Sequence, residues 1–153
     1  GNFGYSRDGS VLAIQASVRA DATGKSVLEI LREMAEIRQR EVTADELARE
    51  KDGAILSLPA RWATGRSIGG TFQSLHYYGL PFSDFDGFVS RVQRVDVAAV
   101  LAAATAHVHP DRALVLVVGD LARLKPQLDA LLADGPLKGA TTARLTADGV
   151  LGP

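Results

Sequence analysis

The chain has 153 residues, enough for one domain with a real core and too few for two comfortable ones. Hydrophobic content of 46% and charged content of 23% are ordinary globular values, and 17 basic against 18 acidic residues leave a formal net charge of −1 with no like-charge block, which argues against a nucleic-acid or polyanion surface. Cys is absent, excluding disulfides and thiolate metal sites without fixing the compartment, and no apolar run approaches the ~18 residues of a membrane span.

The chain opens Gly1-Asn2-Phe3-Gly4, with no initiating Met and no basic region followed by an apolar stretch. It soon enters a strand, so a longer protein is expected, with part of its machinery upstream of residue 1. Arg7-Asp8-Gly9-Ser10 reads as a turn. From Val11 to Val18 the pattern alternates, with Leu12, Ile14, Ala16 and Val18 on one face, the period of a half-buried strand. A helix follows over Ser26 to Arg38. Val27, Ile30, Leu31, Met34 and Ile37 form its apolar stripe, and Thr23 or Ser26 caps it.

Thr43 followed by Glu46 is a capping box that opens a second helix, which runs toward Leu58 and is interrupted by Pro59. Trp62 to Tyr78 is an apolar-aromatic helical segment weakened by Gly69-Gly70 and ended by Gly79-Leu80-Pro81. Phe82 to Val92 reads as a short helix. Asp96 then caps another, in which Val97, Val100, Leu101 and Ala104 share a face, and His109-Pro110-Asp111 is a turn. Ala113 to Val118 is a continuous apolar run that predicts a central strand covered on both faces. The next helix is expected to hold Pro126 in its first turn, to continue through Leu128, Leu131 and Leu132, and to break at Gly135-Pro136, with Thr141 to Thr146 as a last edge strand. There is no internal repeat and no low-complexity linker. Residues 1–153 read as one domain portion of α+β type, helices packed on one side of a mixed or antiparallel sheet.

The chemistry-bearing residues are sparse. A hydrolytic zinc site needs three nitrogen or oxygen ligands and a carboxylate base, yet the only histidines are His76, His107 and His109, and neither H-E-x-x-H nor H-x-x-E-H occurs. His107 and His109 suit a polar helix terminus, and His76 suits a surface or half-buried position. No G-x-S-x-G surrounds a serine. Gly65 to Thr71 is Gly-rich without the Gly-Lys-Ser/Thr of a phosphate loop, so its glycines read as helix-packing residues. Val118-Gly119-Asp120 reads as a strand end whose aspartate caps the following turn, and Asp84 and Asp86 as turn or cap residues. No residue of this chain is assigned a catalytic or metal-binding role, and its substrate-binding residues are left open.

Four segments, in this order, resemble the C-terminal part of a domain from the insulinase or pitrilysin-like zinc metallopeptidases, the group that includes the subunits of mitochondrial processing peptidase. Residues 7–38 are similar to the strand, short turn and long helix of those domains. Residues 41–65, with the threonine–glutamate–leucine pattern of Thr43, Glu46 and Leu47, are similar to the next helix and the start of the one after it. Residues 76–120 carry the most specific match: Tyr78-Gly79-Leu80-Pro81, a helix, Val95-Asp96-Val97 opening another, then Pro110-Asp111, an apolar strand and Val118-Gly119-Asp120. Residues 145–153 are similar to the closing strand and its Asp-Gly turn.

The resemblance implies a partner as much as a fold. Such peptidases pair two homologous domains around an enclosed chamber. One bears the inverted zinc motif, and the other usually lacks zinc ligands and supplies an arginine and a tyrosine that hold substrate or the developing oxyanion. On this register both of those residues fall upstream of residue 1. Tyr5 is then a strand-entry aromatic and Arg7 a turn residue, and no catalytic residue of the family transfers to this chain. The expected function is the zinc-free domain of a zinc-dependent metalloendopeptidase. It would complete the chamber for peptide hydrolysis beside a zinc-bearing homologous domain or subunit, so zinc is expected in the partner and no cofactor here. A catalytically inactive scaffold subunit of the same family is the alternative, and a free-standing α/β binding domain a third reading. The Ala-, Arg- and Gly-rich composition is compatible with a bacterial source, in periplasm or cytoplasm.

Overall fold

A computed structural model describes residues 1–6, 9–146 and 148–152. Among the described residues the chain is mainly helical with one two-stranded antiparallel sheet, an α+β composition. It divides into two units: residues 1–15 with 35–109, and residues 16–34 with 110–153.

In the first unit β1 (Asn2–Tyr5) pairs antiparallel with β2 (Ser10–Ala13), Phe3 opposite Leu12 and Gly4 opposite Val11. Ser6 closes the connection, its N–H and hydroxyl both donating to the Gly9 carbonyl. The strand expected to reach Val18 stops at Ala13 because its partner is only four residues long, and Ile14 onward has no ladder partner among the described residues.

The helices of this unit start where side chains satisfy free N–H groups. At α2 (Ala44–Leu56), the Thr43 hydroxyl accepts from Glu46 N–H at 3.2 Å, and the Glu46 carboxylate accepts from Thr43 N–H at 2.9 Å. The bond from the Thr43 N–H, and after it the one that the Thr43 hydroxyl donates to the same carboxylate at 2.8 Å, hold the Glu46 carboxyl below its ordinary value. Pro59 sits early in the single turn α3 (Leu58–Arg61), which follows α2 across Ser57. A second box absent from the sequence reading, Thr64 with Ser67, opens α4 (Gly65–Tyr78). Gly79 ends it at φ 68°, the left-handed conformation that favours glycine.

A 3-10 segment, Phe82–Gly87, leads into α5 (Phe88–Arg94), which packs beside α2, where Lys51 Nζ donates to the Gln93 carbonyl. Asp96 caps α6 (Val97–His107), accepting from Ala99 N–H at 2.8 Å. The expected face is the observed one: Ala104 is buried, and Val97, Val100 and Leu101 are half-buried.

The second unit is organised by α1 (Thr23–Glu36), all but the last two residues of which belong to it, and by α7 (Leu121–Asp134). Its buried residues are Thr23, Gly24, Leu31, Leu124 and Leu131. Neither Thr23 nor Ser26 caps α1. Their hydroxyls donate backward, to the Ala20 and Ala22 carbonyls, and the acceptor for the Gly24 N–H comes instead from Gln127.

Helix α7 begins earlier than its proline suggests. Asp120 accepts from Ala122 N–H and caps it, which leaves Pro126 inside the helix. The missing proline N–H falls opposite the carbonyl of Ala122, an exposed residue. Gly135 ends the helix where a Cβ would lie 2.6 Å from the Leu131 carbonyl oxygen.

The run Ala113 to Val118 forms no strand. Leu114 is 94% exposed, Leu116 72% and Val118 88%. A central strand needs neighbours on both edges, and the described residues of this unit contain no strand to pair with it. The expected edge strand over Thr141 to Thr146 reduces to one antiparallel bridge, Leu145 with Leu151, around a turn in which Gly149 adopts φ 75°.

Candidate functional site

The aromatic and glycine-containing segments of the first unit meet around an open cleft of about 780 Å³ between α3, α4, the Phe82–Gly87 segment and α5. That volume lies in the range of pockets that take small ligands or a few side chains. Because the Thr64–Ser67 box fixes the start of α4, Gly70, Ser74 and Tyr78 recur every four residues along the cleft, with Leu75, 4% exposed, as its most buried wall. Phe85, Phe88 and Val92 supply the opposite apolar wall.

Edge-to-face contacts brace the region. Trp62 meets Phe85 at 5.3 Å and Phe72 at 6.0 Å, and Phe72 meets Phe82 at 5.3 Å. Such pairs contribute about 0.5–1.5 kcal/mol each beyond their burial.

The polar groups of the cleft are mostly committed elsewhere. Ser67, Thr71 and Ser74 donate their hydroxyls to carbonyls within α4 or its cap. Tyr78 Oη donates to the Tyr5 carbonyl at 2.8 Å, tying α4 to β1. Arg91 donates to the Asp84 carbonyl at 2.8 Å and to its carboxylate at 3.1 Å, so these two charges offset each other. Arg61 remains. It has no ion pair among the described residues, and its guanidinium lies 5.8 Å from the Phe85 ring centroid, a cation–π contact. The cleft therefore combines an apolar wall with one uncompensated cation at its rim.

Gly69 and Gly70 do not act as packing glycines within the described chain. A Cβ built on either meets no heavy atom within 4 Å, and at Gly70 the open space is the cleft itself. The whole Gly65 to Thr71 stretch is helical rather than a loop around a phosphate.

The sequence-singled residues are dispersed. His76 lies exposed on α4, His107 ends α6, and His109 places Nε2 3.1 Å from the Ala106 carbonyl. Among the described residues no group of three His, Asp or Glu side chains is gathered where it could hold a metal ion. Tyr5 is 68% exposed at the end of β1 and contributes only its carbonyl to the Tyr78 bond, while Arg7 lies outside the described residues. Asp84 pairs with Arg91, Asp86 is exposed, and Asp120 is a helix cap.

Arg61 and Arg91 were not legible as site residues. Arg91 reaches Asp84 across a junction between 3-10 and α-helix that periodicity does not reveal. The Pro59 helix break beside Arg61 was the nearest available signal. No helix among the described residues is long and apolar enough to cross a membrane. No protein-family model, curated protein or solved structure matches this chain.

Proposed function

We propose that this chain is a zinc-free half-domain of a metallopeptidase assembly of the insulinase or pitrilysin type, completing a substrate chamber for a zinc-bearing homologous domain or subunit. The observation that carries this reading is the exposed apolar run of Leu114, Leu116 and Val118. Its composition is that of a strand covered on both faces, and a contiguous apolar surface of this kind marks an interaction site. Strands of a larger peptidase domain would supply both the missing ladder and the cover. The ordered motifs add support: the Thr43–Glu46 box, the left-handed Gly79 before Leu80-Pro81, the Asp96 cap and the Gly149 turn each take the local geometry their sequences require.

On this reading the hydrolytic chemistry belongs to the partner, and this chain binds and encloses peptide. The test is to purify the chain with its native partners and assay the complex for zinc and for cleavage of a quenched peptide of about 10–20 residues, a length suited to an enclosed chamber. Zinc with chelator-sensitive cleavage, carried by a co-purifying protein with an H-x-x-E-H motif, is the expected result. A stable partner without zinc or activity would replace this reading with the scaffold one, and the absence of any partner would remove both.

A further inference from the structure

Two features of the first unit are left incompletely matched by it. One is Gly70 in the interior of α4, where a glycine costs about 1 kcal/mol of helix stability relative to alanine and a Cβ would meet no heavy atom within 4 Å. The other is Arg61, whose charge has no partner among the described residues while the cleft's other ionic pair, Asp84 with Arg91, is internally matched. Glycine in an ordered element often marks a place where a ligand or another backbone approaches closely, and Gly70 opens onto the cleft that Arg61 rims.

We propose that this cleft seats the carboxy-terminal residue of a peptide. Its leucine or aromatic side chain would lie among Leu75, Phe85, Phe88 and Val92, with its backbone against Gly70 and its terminal carboxylate on Arg61. This rests on the reading of the chain as the peptide-enclosing half of a peptidase, and it names the part of the peptide held. Charge complementarity selects the occupant. Arg61 offers a cation with no anionic partner among the described residues, the apolar wall lies next to it, and the guanidinium is 5.8 Å from the Phe85 ring of that wall. In a carboxy-terminal residue the carboxylate and the side chain share one Cα, so a single residue meets both. An internal acidic residue separates its charge from the neighbouring apolar side chain. The planar guanidinium suits a carboxylate because it offers two parallel N–H donors.

The test is fluorescence anisotropy with the 153-residue chain and a fluorescein-labelled peptide ending in leucine–phenylalanine, prepared as the free acid, as the amide, and as an amide with glutamate before the leucine. The free acid is expected to bind at least about tenfold more tightly than either amide, as a charge-assisted bidentate contact predicts. Arg61→Ala should abolish that preference, lowering acid affinity to that of the amide, and Gly70→Leu should block both forms. Gly69→Ala, off the cleft lining, should change neither. Equal binding of acid and amide, full binding by the glutamate-containing amide, unchanged acid binding by Arg61→Ala, or no saturable binding of the acid would each overturn the proposal. Arg61 is exposed, so its variant tests the idea even where far-UV circular dichroism shows that Gly70→Leu is misfolded. Binding is read without zinc or partner, so its failure is separable from failure of the peptidase reading, which the zinc and cleavage assay decides.

Discussion

The amide of Gly24 donates to Gln127 Oε1 at 2.9 Å, while the Nε2 of the same glutamine donates to the Ala20 carbonyl at 2.7 Å. A side chain from α7 thus supplies the acceptor that α1 lacks at its own N-terminus, and one residue spans the junction between the 3-10 turn Ala20–Ala22 and the helix. The closeness of this contact is set by the glycine, because a Cβ at position 24 would lie 3.0 Å from Gln127 Cβ.

Gln127→Ala is therefore expected to destabilise the second unit by about 1–2 kcal/mol, the worth of two partly buried hydrogen bonds. Gly24→Ala should also destabilise in the native background, because crowding of about 1–3 kcal/mol exceeds the helix-propensity gain of about 1 kcal/mol. Alanine at 127 keeps the Cβ that crowds position 24, so the same substitution should still destabilise there; in the Gln127→Gly background, where that Cβ is gone, it should become neutral or stabilising. Urea denaturation of the four species of the Gly24→Ala and Gln127→Gly cycle measures the coupling, and additive effects would show that the two residues do not act on one another.

The Thr43–Glu46 box predicts both a mutational and a pH effect. Thr43→Ala should cost about 1 kcal/mol, the usual worth of an N-cap. The Glu46 carboxyl is held below its ordinary value of about 4.5 by bonds that exist only in the folded chain. Its contribution is therefore fully present above that value and is lost as pH falls through the lower folded value. Glu46→Gln should flatten the stability profile below about pH 4.5 and leave its shape near neutrality unchanged. An identical acid limb in wild type and variant would remove Glu46 from the acid response.

What the sequence made legible was local. Thr43, Gly79, Asp96 and Gly135 mark helix ends, and each does so because the requirement lies within a few residues: a free N–H to satisfy at Thr43 and Asp96, a left-handed backbone at Gly79, and at Gly135 a carbonyl, that of Leu131, too near for a Cβ. The apolar face of α6 was legible for the same reason, a period of 3.6. What failed was non-local. Thr23 and Ser26 looked like caps, but the cap came from Gln127, about a hundred residues away. Ala113 to Val118 looked like a central strand, but a strand needs partners that periodicity does not supply. The cleft escaped notice because Arg61, Gly70 and Phe85 belong to three elements whose meeting depends on the Pro59 break and the turn after Gly79.

Three glycines of one region should respond with opposite signs. At Gly69 and Gly70 the helix is regular and the space beside a Cβ is empty, so alanine should stabilise the chain by about 0.5–1 kcal/mol per site. At Gly79 the space is equally empty but φ is 68°, so alanine should destabilise by about 1 kcal/mol through backbone strain alone. Thermal melts of the three single variants decide the matter. Destabilisation at Gly69 or Gly70 would mean that another surface packs against α4 in the isolated chain.

The exposed run of the second unit separates a surface awaiting a partner from a core element of the chain. Leu114 and Val118 are 94% and 88% exposed, so replacing both with lysine removes almost no burial. The double variant should keep the wild-type melting temperature, within the about 0.5 kcal/mol per site typical of surface changes. It should also bind less of a dye that reports exposed apolar surface and self-associate less, because charges on an unpaired apolar segment oppose edge-to-edge pairing. In the peptidase assembly proposed above the expectation reverses. Lysines would have to be buried between sheet neighbours and covering helices, at a cost of several kcal/mol each, so co-purification with a zinc-bearing partner should be lost. A sharp drop in melting temperature of the isolated chain would instead place the run in the chain's own core, and the partner-completed sheet would have to be abandoned.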